Sequence, residues 1–240
     1  MCGPESVNRA QPLVGVACTG INVGPQGHLT LVLVSTTDGD VFAFDVKTSP
    51  DVMYQGLGRL LQAVDLLKVV HNSAPLVANL YFQFGINMQS VFDTQVAFAV
   101  ILEDQSLVGR HVSLPALCDK CGLHGYHPSI QFQLLTEDCN VWARRPLTRE
   151  MLNTAAAMAL PLPPLYTKLS RAMEEKSWER FQVLNADTCL SLIKGRCRGA
   201  EKEHHHQTDK PDSRHQLPVL KLSPAQKVLL TDKKSSVQHF

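Results

Sequence analysis

Apolar and polar positions change period several times along the 240-residue chain, and each change marks an element. Leu13–Cys18 (LVGVAC) is a valine-rich apolar run closed by Gly20, the mark of a buried strand. Gly24–Gly27 (GPQG) predicts a turn, His28–Ser35 a second strand, Asp38–Asp40 (DGD) a hairpin turn and Val41–Val46 a third strand. The chain therefore opens with three antiparallel strands. Met53, Leu57, Leu60, Leu61 and Val64 then recur at helical spacing and predict a helix over Val52–Asp65. Leu66–His71 reads as a strand and Ala74–Phe84 as a helix, with Pro75 in its first turn and Gly85 at its end. Ser90–Asp93 reads as a short strand and Thr94–Leu102 as a helix capped by Asp93. Beyond Leu107 helices dominate. Ser113 caps a segment ending at Gly122, Thr148 caps a helix over Leu147–Leu160, and Pro161, Pro163 and Pro164 break that helix. Leu165–Lys194 forms one or two more. This alternation specifies an α/β fold, a mixed sheet flanked by helices with a helical C-terminal part.

Composition sets limits on this picture. A hydrophobic fraction of 44% supports a full core, and one domain is expected over residues 1–198. From residue 199 to 240 the sequence turns polar, carries His204–His206, and reads as a disordered tail. No apolar run reaches 18 residues, so no membrane span is expected, and Met1–Pro12 lacks the apolar stretch of a secretory signal. Seven cysteines without a framework spacing, and no secretion signal, point to reduced thiols in a cytosolic or nuclear setting. The net charge is only +1, and residues 1–100 hold four basic against seven acidic side chains. Any affinity for nucleic acid must then come from a local patch.

Three segments carry a family resemblance. Lys68–His71 (KVVH), Gln83–Ile86 (QFGI) followed by Ser90–Ala97 (SVFDTQVA), and Trp142–Ala157 (WARRPLTREMLNTAAA) together resemble the RNase D-type DEDD 3′–5′ exonucleases. The closest likeness is to their Egalitarian-like branch and the related exonuclease domain of piRNA biogenesis. The likeness runs over roughly residues 13–193 and implies a ribonuclease H-like fold. It also implies a chemistry in which four carboxylates hold two divalent ions, one activating water and the other stabilising the leaving oxygen.

The positions that the resemblance assigns to those carboxylates carry none here. Ala17 and Thr19 stand for the aspartate and glutamate of the first motif. The second motif falls on Leu76 or Ala78, in a stretch (His71–Leu80) without any carboxylate. Thr154 stands for the tyrosine of the third motif and Met158 for its aspartate. Asp93 of FDTQ is retained, as a helix cap. The expectation is a catalytically inactive exonuclease-like domain with no cofactor. By resemblance it acts in small-RNA (piRNA) biogenesis and gene silencing, with single-stranded RNA, pathway proteins and a second copy of itself as partners. Two alternatives stand beside it: residual exonuclease activity through other carboxylates (Asp38, Asp40, Asp45), or a protein-interaction module that binds no RNA.

Candidate contacts with RNA are His71 and Asn72 at the end of a strand, and Arg144, Arg145 and Arg149 as the best local basic cluster. Cys118-x-x-Cys121-x-x-His124-x-x-His127 has zinc-ligand residue types but not a zinc-finger spacing, and the expected reading is small core cysteines on a helix. No metal is expected.

Overall fold

The computed structural model describes residues 11–124 and 140–204, with side chains described to residue 198. Five strands form one sheet in the order β3-β2-β1-β4-β5: β1 (Leu13–Ile21), β2 (His28–Ser35), β3 (Val41–Phe44), β4 (Leu67–Val70) and β5 (Val91–Asp93). β1, β2 and β3 pair antiparallel, and β4 and β5 then join β1 in parallel. The opening meander and the mixed sheet match expectation. β2 is buried at seven of its eight positions, which explains why its alternation decays into a continuous apolar run.

Helices cover both faces: α1 (Leu57–Gln62), α2 (Ser73–Phe84), α3 (Thr94–Asp104), α4 (Leu114–Lys120), α5 (Arg149–Ala159), α6 (Leu162–Ala172) and α7 (Trp178–His204). One core lies between the sheet, α2 and α7, with Val16, Val32, Leu61, Leu80 and Ile193 essentially excluded from solvent. A second gathers Val69, Phe92, Val100, Leu117 and Leu165 beneath α3, α4 and α6. A third seats Trp142, Met151 and Ala155 on Leu31 and Leu33. Gly15 lets α6 approach the sheet: a Cβ there would lie 2.3 Å from Ser35 Oγ and 2.8 Å from Leu162 Cβ.

The caps fall where the sequence puts them. Asp93 accepts from Gln95 N, Ser113 from Ala116 N and Thr148 from Met151 N. The helix expected over Val52–Asp65 is instead a 3-10 turn (Pro50–Met53) followed by the short α1. The apolar spacing is real, but Gly58 packs onto the carbonyl of Met53, where a Cβ would lie 2.0 Å from the oxygen, so the chain folds back between the two pieces. The prolines after Leu160 do end α5, yet α6 starts at Leu162 rather than Leu165. Pro163 occupies its first turn, where a missing N–H costs nothing. The third strand stops at Phe44, because the Asp45 carboxylate turns to accept from Thr48 N. α7 runs on to His204, past the change of composition at residue 198. Residues 205–240 lie outside the described residues.

The centre of this arrangement is Asp93, fully buried at the end of β5. Its Oδ1 accepts from Gln95 N (2.9 Å) and Asn72 N (3.0 Å), and Oδ2 accepts from Ser73 N (2.7 Å). One carboxylate thus caps α3 and holds the first turn of α2. Asp93→Ala leaves these buried amides unsatisfied and is expected to lower stability by about 3 kcal/mol in urea denaturation, at roughly 1 kcal/mol per bond lost.

Candidate functional site: a carboxylate-free cleft

The C-terminal ends of β1 and β4 open onto a cleft of about 350 Å³ between α2, α4, α5 and α6. Ala17 on β1, Leu76 on α2 and Met158 on the last turn of α5 all line it, although they lie up to 141 positions apart in sequence. Three positions that the resemblance assigns to separate motifs thus converge on one site. Of the two second-motif candidates, Leu76 lines the cleft, whereas Ala78 has no exposure and packs in the core. Thr19 is 3% exposed, its hydroxyl 3.5 Å from that of Thr30, next to a register shift in β1. Thr154, one turn before Met158, is buried. The remaining walls are apolar, from Val16, Val70, Leu114 and Leu162. Among the described residues, no carboxylate, lysine or arginine lines the cleft. Cys18 does, and burial pushes its thiol up to about 12, far from a reactive thiolate.

His71 and Asn72 both line the cleft, with different roles. The ring of His71 is already engaged: Nε2 donates to the Val112 carbonyl (3.0 Å), and Nδ1 lies 2.9 Å from the Thr94 hydroxyl. Burial holds it below the ordinary histidine pKa, against the opposing pull of Asp93. It therefore fastens the loop before α4 to the sheet and has no ring nitrogen left for a ligand. Asn72 is exposed, with φ 59° in the left-handed region, and its backbone N–H is held by Asp93.

The basic cluster splits in the same way. Arg145 is structural: its Nε lies 2.7 Å from Asp45 Oδ2 and its Nη2 2.5 Å from Asp45 Oδ1, and its other donors reach the carbonyls of Trp142, Arg144 and Thr30. The guanidinium holds the Asp45 carboxyl well below the usual carboxylate range. Arg144 and Arg149 are exposed. Arg149 begins α5, nine residues and about 13 Å of helix from Met158.

The cysteine–histidine motif builds no metal centre among the described residues. Cys118 is buried and raised to about 11 by desolvation, Cys121 is raised by the same cause, and His124 is exposed at 3.9 Å from Asp119. His127 lies outside the described residues. No group of three or more histidine, cysteine or acidic side chains could hold a metal ion among the residues described, and no helix there is long and apolar enough to cross a membrane.

Four carboxamides, three buried and Gln83 half-buried, position the site. Asn79 accepts from Gly24 N and donates to Gly27 O, fixing the β1–β2 turn. Gln83 pairs with both polar groups of Leu29, and Gln95 with Val112 N and Arg110 O. Asn185 of α7 takes Asp93 N and gives to Val91 O, closing the outer edge of β5. For Asn79, Gln83 and Gln95 the signal was available: each is an amide in a largely apolar helical stretch, where a buried polar group needs a partner.

The strand order, the helical layers and a cleft at the ends of β1 and β4 define a ribonuclease H-like exonuclease fold. Solved structures share it: Brucella melitensis NrnC (TM-score 0.60, 22% identity, 80% of this chain and 90% of that one) and Trypanosoma brucei RNase D in complex with RNA U12 (TM-score 0.57, 24% identity, 67% and 56%). The chain belongs to the 3′–5′ exonuclease family, whose sequence model matches residues 18–174. It is similar to the mouse piRNA biogenesis protein EXD1, 36% identical over 165 residues (65% of this chain, 29% of the relative). It is also similar to the Caenorhabditis elegans Egalitarian protein homolog, 26% identical over 170 residues (68% and 30%). The chain spans about a third of the length of these curated relatives.

Arg145→Ala is expected to cost about 3 kcal/mol of stability, since it strands a partly buried carboxylate. Asp45, with its pKa depressed in the folded state, contributes stability that is present above about pH 4 and lost as the pH falls. The loss of stability between pH 7 and pH 3, followed by urea denaturation, is therefore smaller in Arg145→Ala than in the parent.

Proposed function

We propose that this chain is a catalytically inactive exonuclease-fold module that serves as an RNA-binding adaptor in small-RNA (piRNA) silencing. One observation carries the reading. Ala17, Leu76 and Met158 meet in one cleft, at the positions that the family resemblance gives to metal-holding carboxylates, and no carboxylate among the described residues lines that cleft. Alanine, leucine and methionine side chains offer no ligand for a hard divalent cation, and Thr19 adds at most one neutral oxygen, already beside Thr30. These residues do not fit the two-ion centre, and no step is routed through it. The acids near the sheet are no substitute. Asp45 is bound to Arg145, and Asp93 is consumed by three backbone amides.

The similarity to piRNA biogenesis proteins supports a place in a small-RNA pathway. On this reading the functional domain lies within residues 1–198, and the protein acts in the cytoplasm with pathway proteins and a second copy of itself. Single-stranded RNA would meet the exposed Arg144 and Arg149 rather than the cleft, through phosphate contacts.

End-labelled single-stranded RNA incubated with the full chain in magnesium or manganese is expected to stay intact while its mobility shifts. Arg149→Ala should lower the slope of log affinity against log salt by about 0.7, the loss of one phosphate contact. A manganese-dependent ladder of shortened products would overturn the inactive reading.

A further inference from the structure

The two edges of the sheet are finished differently. At β5 the Asn185 side chain accepts from Asp93 N and donates to Val91 O, so polar groups on that edge are already taken. At the other edge, no strand lies beyond β3 among the described residues. Asp40 O accepts from Thr36 N, which sets the phase of the β2–β3 ladder. The backbone groups of Phe42 and Phe44 therefore turn toward Val34 and Val32 of β2, and those of Val41 and Ala43 turn outward. A row of outward N–H and C=O groups is a template for one more strand.

Nothing within β3 blunts that template. The strand (VFAF) holds no proline and no charge, and its register with β2 runs without a bulge. Phe44 packs against the first core and Val41 against the third. Phe42, on the same face as Phe44, is left 53% exposed. Ala43 is exposed as well and has no bulk to hold a neighbouring strand away. Charge is divided between the ends of the strand. Asp38 and Asp40 are exposed before it. Lys47 and Arg144 are exposed after it, brought together where Lys47 Nζ donates to Ala143 O, and Asp45 beside them is neutralised by Arg145.

We infer that β3 pairs antiparallel with β3 of a second copy of this chain, joining two five-stranded sheets into one of ten strands. The strand is complementary to itself in three respects. A two-fold axis at Phe42 sets Val41 opposite Ala43 of the second copy, so the outward groups of the two strands meet as hydrogen-bonded pairs. The two Phe42 side chains fall opposite one another at the close, non-hydrogen-bonded position, with about 4.5 Å between Cα atoms, and cover each other. The antiparallel sense carries the acidic end of each strand to the basic end of the other. A strand of unrelated sequence would satisfy the hydrogen bonds alone. The pairing consumes the open edge of both copies, so assembly stops at two. The inference rests on the adaptor reading for a second copy as partner, and gives that partner a surface.

Sedimentation velocity of the full chain across micromolar concentrations is the test. The expected result is a monomer–dimer equilibrium with a dissociation constant on the order of ten micromolar, as suits an interface at the small end of the range. Phe42→Lys places a charge on the edge and should raise that constant about tenfold. Ala43→Pro removes an outward N–H without touching the bonds to β2 and should do the same. Both positions are exposed, so thermal unfolding of the two variants as monomers should match that of the parent. Phe42→Cys should form a disulfide-linked dimer under mild oxidation far faster than the parent, because the close pair lies within disulfide reach. A dimer that Phe42→Lys and Ala43→Pro leave intact, with no such link, would overturn the β3 surface and leave self-association standing. A chain that stays monomeric throughout would overturn both, and assembly beyond two copies would overturn the closed pair. A manganese-dependent RNA ladder with the dimer unchanged would sink only the inactive reading.

Discussion

The buried carboxylate of Asp93 is the point on which the rest of this structure depends. A charge with no exposure is tolerable only if it is fully hydrogen-bonded, and Asp93 is, through three backbone amides that belong to two helices. Asn185 meets the same residue's own N–H, which brings α7 into the joint. The consequences run outward. α2 must begin directly after β4, Asn72 must turn through the left-handed region, and α3 must leave β5 at a fixed angle. The walls of the cleft are then set before any of its own side chains is considered.

Within that frame, polar groups in the interior are held by amides rather than by charges. Asn79, Gln83, Gln95 and Asn185 each give and take one hydrogen bond with backbone, so that two connecting segments, the start of β2 and one sheet edge are closed as if by a short extra strand. The cleft itself contributes nothing polar to this network apart from His71, which is engaged on both nitrogens. It is free to be apolar. In a two-ion exonuclease the same place must assemble several carboxylates whose mutual repulsion only the metals relieve. On the proposed reading, the residues found here remove both the repulsion and the need for metal.

Much of this was legible in the chain. The period-two runs gave the strands, the caps at Asp93, Ser113 and Thr148 are where side-chain oxygens face free amides, and the three motif segments were enough to identify the fold. Two kinds of information were not. One is register on a helix. Leu76 and Ala78 are both apolar and two residues apart, and only the packing of α2 on the sheet decides which one reaches the cleft. The other is partnership across long separations. Arg145 reads as a free cation beside Arg144 until its bond to Asp45, 100 residues earlier, is seen, and His71 reads as a ligand residue until Thr94 and Val112 claim its nitrogens. The break at Gly58 falls in the same class, since the helical period of its neighbours is undisturbed and only the approach of the Met53 carbonyl reveals it.

The central claim is that this cleft does not hold catalytic metal, and manganese binding tests it most directly. Titration of the full chain with Mn²⁺, with free ion counted by electron paramagnetic resonance, should show no site tighter than weak surface carboxylate binding, and the Met158→Ala variant should match the parent. One or two tight sites per chain, sensitive to substitution in the cleft, would contradict the claim and return the protein to the active members of its family.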